Sequence, residues 1–189
     1  MSKKMQKKSP KSRCPAKAAA HSSTANPSIG PAQGDSAPAF SLPSDGGGII
    51  SLADFAGRKL VLFFYPRAGT PGCTIEAKDF SRLAPKFTAV NTVLLGISAD
   101  PLKALAAFRK KNLLKIPLVT DEDHIALEAY GVWDKKSMYG KVFYGVVRTT
   151  FLIDETGHIL QIWRKVKVNG HVNEVLTAAK TSVTHAPVS

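Results

Sequence analysis

Apolar residues in this chain fall into short dense runs separated by amphipathic stretches. Leu60 to Tyr65 is six apolar or aromatic residues without a break, the pattern of a strand buried on both faces, and Thr92 to Ser98 is a second such run. Between them, Thr70-Pro71 starts a helix: threonine is an N-cap type and proline suits a first turn. That helix carries an apolar stripe of Ala77, Phe80, Leu83 and Ala84, and Pro85 is expected to kink or restart it. Asp100-Pro101 is expected to cap a second helix ending at Lys110 and Lys111. Leu118 to Thr120 reads as a short strand, and Asp121 as the cap of a helix running to Tyr130 with Gly131 as its stop.

Upstream, Phe40-Ser41-Leu42 and Ile49 to Leu52 flank the Gly-rich turn Asp45 to Gly48 and predict a hairpin, followed by a helical turn from Leu52 to Ala56. Downstream, Trp133, Met138, Tyr139, Phe143 and Tyr144 read as a loop rich in large side chains. Val146 to Ile153 and His158 to Val166 are two strands joined by the turn Asp154 to Gly157. A last helix runs from His171 to about Lys180. A parallel start and an antiparallel finish predict an α/β fold with a mixed central sheet, helices on both faces and an extra N-terminal hairpin.

Charge changes the picture at one end. Residues 1–36 hold Lys3, Lys4, Lys7, Lys8, Lys11, Arg13 and Lys17 against Asp35 alone, half of the formal net charge of +12. With no aromatic residue, no Leu and no Val, this stretch cannot bury enough surface to order itself. The expected organisation is a disordered basic arm over 1–36, one domain over 37–182 and a tail over 183–189. A solvated tail is the plain reading of the arm. Nucleic-acid contact or a nuclear address is the weaker one, and an organelle transit peptide is weaker still, because the Leu and Phe of an amphipathic face are missing and Arg13 is the one arginine. No apolar run approaches a membrane span, and Cys14 and Cys73 make no disulfide framework, which suits a cytoplasmic protein. The five histidines show no metal-ligand spacing and no phosphate-cradling loop is present, so no cofactor is expected.

The candidate chemistry sits where the first buried strand meets the first helix. Cys73 falls in the first helical turn, where unpaired N–H groups and the macrodipole favour a thiolate. A Pro-Gly-rich turn at that point argues for an accessible sulfur. Thr70-Pro71-Gly72-Cys73 has the spacing of a thioredoxin-type Cys-x-x-Cys with a hydroxyl in place of one sulfur, so a single activated sulfur remains. Its commonest use is attack on an electrophile such as a peroxide oxygen. An ordinary thiol, with a pKa of about 8.5, needs a neighbouring cation as well.

Pro66-x-x-x-Thr70-x-x-Cys73 resembles the active-site signature of the peroxiredoxins, and Tyr65 to Thr74 resembles the bacterioferritin-comigratory, or peroxiredoxin Q, branch. The likeness continues through Gly96 to Asp100 and Arg148 to Asp154, covering about residues 38–180. It implies a thioredoxin-like fold and a thiol-dependent peroxidase. It also implies roles: Cys73 as nucleophile, Arg148 as the cation beside it, Thr70 as a hydroxyl on thiolate and peroxide as well as a helix cap, and Pro66 as a shield against water. Glu76, one turn after Cys73, either orients Arg148 or meets the preference of a first helical turn for acid.

Two departures from the branch matter. Relatives carry a resolving cysteine five residues after the first, where this chain has Lys78, or on a later helix, here Ala106-Ala107-Phe108-Arg109. Gly69 also replaces a usual acidic residue or serine, which is expected to loosen the loop. Cys14 is the other sulfur, but reaching Cys73 would close roughly 60 residues. The expected enzyme is therefore of one-cysteine type, a monomer or weak dimer reduced by thioredoxin, glutaredoxin or a small thiol. Trp133, Met138 and Tyr139 read as packing, with an apolar collar for organic hydroperoxides as the alternative. The competing function is a redox sensor or binding protein switched by oxidation of Cys73, nucleic-acid-associated through the arm.

Overall fold

The computed structural model describes residues 30–138 and 141–182, the side chains of residues 137, 138 and 141 excepted. Strands β1 (Ser41–Pro43) and β2 (Ile49–Ser51) form the expected antiparallel hairpin, and a 3₁₀ turn over Leu52–Phe55 follows. A five-stranded sheet holds β3 (Lys59–Phe64), β4 (Thr92–Ser98), β5 (Leu118–Thr120), β8 (Thr149–Ile153) and β9 (Ile159–Arg164) in the order β5-β4-β3-β8-β9. The β3–β4 and β4–β5 pairs are parallel; β3–β8 and β8–β9 are antiparallel. The helices are α1 (Pro71–Thr88), α2 (Leu102–Asn112), α3 (Ile125–Ala129) and α4 (His171–Thr181).

The middle strand β3 is buried along its whole length, and its alternate side chains feed two cores. Val61 and Phe63, with Tyr65 beyond the strand end, pack with Phe80 and Leu83 of α1, Phe108 of α2 and Val175 of α4. Leu60, Leu62 and Phe64 pack on the opposite face with Phe40, Phe55, Leu127, Tyr130 and Phe151. Gly96 of β4 pairs with Phe63, and a Cβ there would meet the Phe63 ring at 2.6 Å, so glycine admits that ring.

Several expectations are corrected. The domain begins before residue 37. Gly34 N–H donates to the Ile159 carbonyl (2.8 Å), Ile159 N–H to the Asp35 carbonyl (2.9 Å) and Ala37 N–H to the Gly157 carbonyl (2.8 Å). Backbone pairing along a sheet edge needs no apolar side chain, so composition carried no sign of it. Residues 1–29, with Cys14, lie outside the described residues, as do 183–189.

Helix α1 runs unbroken through Pro85, its last turn anchored by Phe87, which is buried against Phe80. Helix α3 starts three residues later than expected, at Ile125 with His124 as its N-cap, because His124 takes a left-handed φ of 60°. Asp121 still caps it, accepting from Ile125 N–H at 3.1 Å and Leu127 N–H at 2.7 Å. The stretch read as a loop is a hairpin of β6 (Trp133–Met138) and β7 (Lys141–Val146). The strand expected over Val146 to Ile153 is interrupted at Val147-Arg148.

Lys59 at the start of β3 is buried, 6% exposed, and its ammonium donates to the carbonyls of Ala179 (2.6 Å) and Ser182 (3.3 Å) at the end of α4. Cations suit helix C-termini, and this one holds α4 to the sheet. Lys59→Met should lower stability by about 1–3 kcal/mol, since the Ala179 carbonyl loses its donor. Urea unfolding would show a lower midpoint at unchanged slope; an unmoved midpoint would assign the lysine no such role.

Candidate active site

The site forms where β3 ends and α1 begins. Thr70 is the N-cap by backbone (φ −74°, ψ 152°) and Pro71 opens the helix, so Cys73 lies in the first turn as its sequence context demands. The Thr70 hydroxyl does not cap; it donates to the Arg67 carbonyl at 3.0 Å. Gly69 takes φ +81°, a conformation glycine adopts without strain, so it suits the turn rather than loosening it. Pro66 is half-buried at the end of β3.

Cys73 is 1% exposed, against the expected accessible sulfur, because it belongs to the core on the α1 face together with Tyr65, Ala77 and Phe80. Arg148 reaches it from the other end of the chain. β7 leaves the hairpin at Val146 and β8 joins the main sheet at Thr149. Between them Val147 N–H donates to the Val132 carbonyl (2.7 Å) and Val166 N–H to the Arg148 carbonyl (3.0 Å). From this fixed joint Arg148 Nη2 donates to Cys73 Sγ at 3.2 Å and Nη1 donates to Glu76 Oε2. A Cβ on Gly72 would stand 3.3 Å from Nη2, so glycine leaves the guanidinium its room.

Cys73, Arg148 and Glu76 are thus brought together, and of the two readings of Glu76 the geometry selects contact with Arg148. Glu76 is fully buried, and its Oε1 has no hydrogen-bond partner among the described residues. Burial pushes its carboxyl up to about 7, against the opposing pull of Arg148. The same pairing raises Arg148, whose own burial works the other way. Nearby, His171 accepts or shares a proton with the buried Thr150 hydroxyl (2.8 Å), and burial lowers it to about 4.

Sequence reasoning missed Lys136. Its ammonium donates to the Val146 carbonyl, two residues before Arg148. Burial and Arg148 lower its pKa, while the charge of Cys73 opposes them. The signal available in the sequence was a glycine, Gly140, between two stretches containing β-branched and aromatic residues, a pattern compatible with a hairpin. Trp133 stacks on His124 at 3.8 Å between ring centroids, so it packs as the plain reading had it; the side chains of Met138 and Tyr139 lie outside the described residues. Lys78 and the α2 residues Ala106 and Ala107 are exposed.

The profile of the AhpC/TSA family matches residues 33–162. The chain belongs to the AhpC/TSA family. Among curated relatives, a putative peroxiredoxin Bcp of Coxiella burnetii is 47% identical over 143 residues, 76% of this chain and 95% of the relative. Peroxiredoxin Bcp of Bacillus subtilis is 41% identical over 147 residues, 78% and 94% of the two chains. Among solved structures, peroxiredoxin Q of Xanthomonas campestris superposes with a TM-score of 0.72 at 42% identity, covering 75% of this chain and 89% of that one. Another structure of that organism's bacterioferritin comigratory protein, at the same identity, addresses its alkyl peroxide reduction activity. The fold is therefore the thioredoxin-like fold of a peroxiredoxin, and the enzyme is a thiol-dependent peroxidase.

The raised Glu76 has a defined consequence for this peroxiredoxin. The native state holds the Glu76 proton more tightly than the unfolded chain does. The associated stability is fully present below about 4.5 and is lost as pH rises through about 7. Glu76→Gln should remove that part of the pH dependence. Denaturation midpoints at pH 5 and pH 8 in both proteins would show it as a smaller fall in the variant; identical falls would contradict it.

Proposed function

We propose that the peroxidase runs on one sulfur, Cys73, which reduces hydrogen peroxide and organic hydroperoxides and is then regenerated by an outside thiol. The observation that carries this reading is the contact of the Arg148 guanidinium with a buried Cys73 sulfur. The Cys73 thiolate attacks the terminal peroxide oxygen in line with the O–O bond. An S–O bond forms, the O–O bond breaks, and the departing oxygen takes a proton to leave as water or an alcohol. Arg148 and the backbone N–H of Cys73 stabilise the developing charge. The Thr70 hydroxyl has committed its proton to Arg67, which leaves its oxygen to accept from the hydroperoxide O–H. Pro66 limits water access, and Glu76 fixes the guanidinium plane. Organic hydroperoxides are included because the Xanthomonas relative, at 42% identity, reduces alkyl peroxides.

The second half of the cycle goes to thioredoxin, glutaredoxin or a small thiol in the cytoplasm, because exposed Lys78, Ala106 and Ala107 stand where relatives place a resolving sulfur. The reducing thiol displaces hydroxide from the sulfenic sulfur to give a mixed disulfide and water. A second thiol then attacks that disulfide and frees Cys73.

Cys73→Ser should abolish hydroperoxide consumption, and turnover surviving in that variant would sink the assignment. Arg148→Lys should lower the rate constant with peroxide by about 100-fold or more, because an ammonium cannot hold the sulfur and Glu76 at once. Stopped-flow oxidation measures it. Non-reducing mass analysis after one equivalent of peroxide should show a sulfenic adduct at Cys73; a Cys14–Cys73 disulfide would overturn the one-sulfur cycle.

A further inference from the structure

Lys135 and Lys136 are neighbours on β6, and a strand sends successive side chains to opposite faces. Lys135 is exposed and lies over the ring of its cross-strand partner Tyr144, 5.8 Å from the centroid. Lys136 is half-buried. Its cross-strand partner is Phe143, but its side chain runs on along β7 toward the strand end. The stem passes Gly145, where a Cβ would stand 3.6 Å from Cδ and 3.8 Å from Cε, and Nζ donates to the Val146 carbonyl at 2.5 Å. The ammonium is thus held at the residue where β7 stops, two positions before Arg148.

A half-buried cation ordinarily finds a carboxylate. Among the described residues no carboxylate forms an ion pair with Lys136. Asp134 on the same strand accepts from the Lys135 N–H at 2.6 Å, and Glu76 is taken by Arg148. Burial and then the charge of Arg148 act against the Lys136 proton, and the charge of Cys73 favours it. The anion that Lys136 answers to is therefore the ionised sulfur. Such a pull is mutual, so an ammonium favoured by the thiolate favours the thiolate in return. The other titratable groups at the sulfur leave room for a second charge. Tyr65 at the end of β3 keeps its proton, because burial raises it, and Arg148 divides its two nitrogens between Cys73 and the acid Glu76 of α1.

We propose that Lys136 is the second cation of the peroxidase site, its ammonium joining Arg148 in the positive field that holds Cys73 as the attacking thiolate. This inference rests on Cys73 being the nucleophile. Arg148 supplies direction through its contact with the sulfur. Lys136 supplies charge from β6, and the Val146 carbonyl holds that charge in place. The β6–β7 hairpin is then part of the site, and loss of Lys136 should be felt in the ionisation of the sulfur while the Arg148 contact stays.

The test compares Lys136→Met, Lys136→Gln and Lys136→Arg, all with Cys14→Ser so that one thiol reports. Methionine keeps the apolar stem, glutamine keeps an N–H donor without charge, and arginine keeps both donor and charge. The rate of Cys73 alkylation by iodoacetamide is followed across pH, and oxidation by hydrogen peroxide is measured on the acid side of that profile. Lys136→Met should move the alkylation midpoint up by about half a unit to one unit, the scale of one unit charge acting across a partly buried site, with the high-pH plateau unchanged. Oxidation should slow by about three- to tenfold as the thiolate fraction falls. Lys136→Gln should follow the methionine variant, and Lys136→Arg should stay with the parent.

An unmoved midpoint in Lys136→Met would overturn the second cation. So would a midpoint in Lys136→Gln equal to that of Lys136→Arg, which would make the lysine a strand-end tether alone. Should Lys136→Met lose cooperative thermal unfolding, the comparison of glutamine with arginine decides. Absence of peroxide consumption by the parent protein would instead sink the peroxidase reading of Cys73, while the alkylation midpoint would still judge Lys136.

Discussion

The site depends on one contact, the guanidinium of Arg148 against the sulfur of Cys73. A thiolate taken out of water needs a fixed positive partner, since burial alone favours the neutral thiol. The partner here is a planar fork that touches the sulfur with one nitrogen and the Glu76 carboxylate with the other, so its plane cannot turn. Glu76 bears the cost of that arrangement: it is fully buried, one oxygen has no partner among the described residues, and burial raises its carboxyl to about 7.

The rest of the fold reads as the means of holding three side chains from two distant segments together. Cys73 and Glu76 share one face of α1, which packs on β3; Arg148 precedes β8, which pairs with β3 in antiparallel register. β3 is thus common to both halves of the site, and its burial on both faces makes a slip of register costly. The interruption at Val147-Arg148 matters as much as the pairing. A continuous strand would send its side chains alternately to the two faces of the sheet, whereas at the break Arg148 reaches Cys73 and Glu76 of α1 from the start of β8.

A buried sulfur sharpens the one-sulfur reading. At 1% exposure Cys73 is withdrawn from bulk water. The loop from Pro66 to Thr70 that leads into α1 is held to the end of β4 by the Ala68 N–H bond to Asp100.

The sequence by itself determined what depends on neighbours along the chain. The unbroken apolar run made β3 a buried strand, Thr70-Pro71 set the start of α1, and the spacing from there placed Cys73 in the first turn. Arg148 was also legible, through its motif rather than through any local signal. Tertiary structure decided what depends on which segments meet. It buried Cys73, since the core it joins is assembled from β3, α1, α2 and α4 together. It turned Asp100 from a cap into an acceptor for Ala68, because a carboxylate pairs with whichever donor the fold brings nearest. It converted the aromatic-rich loop into β6 and β7, and so brought Lys136 to the strand end beside Arg148. Periodicity encodes how a segment lies against a core; it does not encode which donor finds which acceptor once two segments have packed.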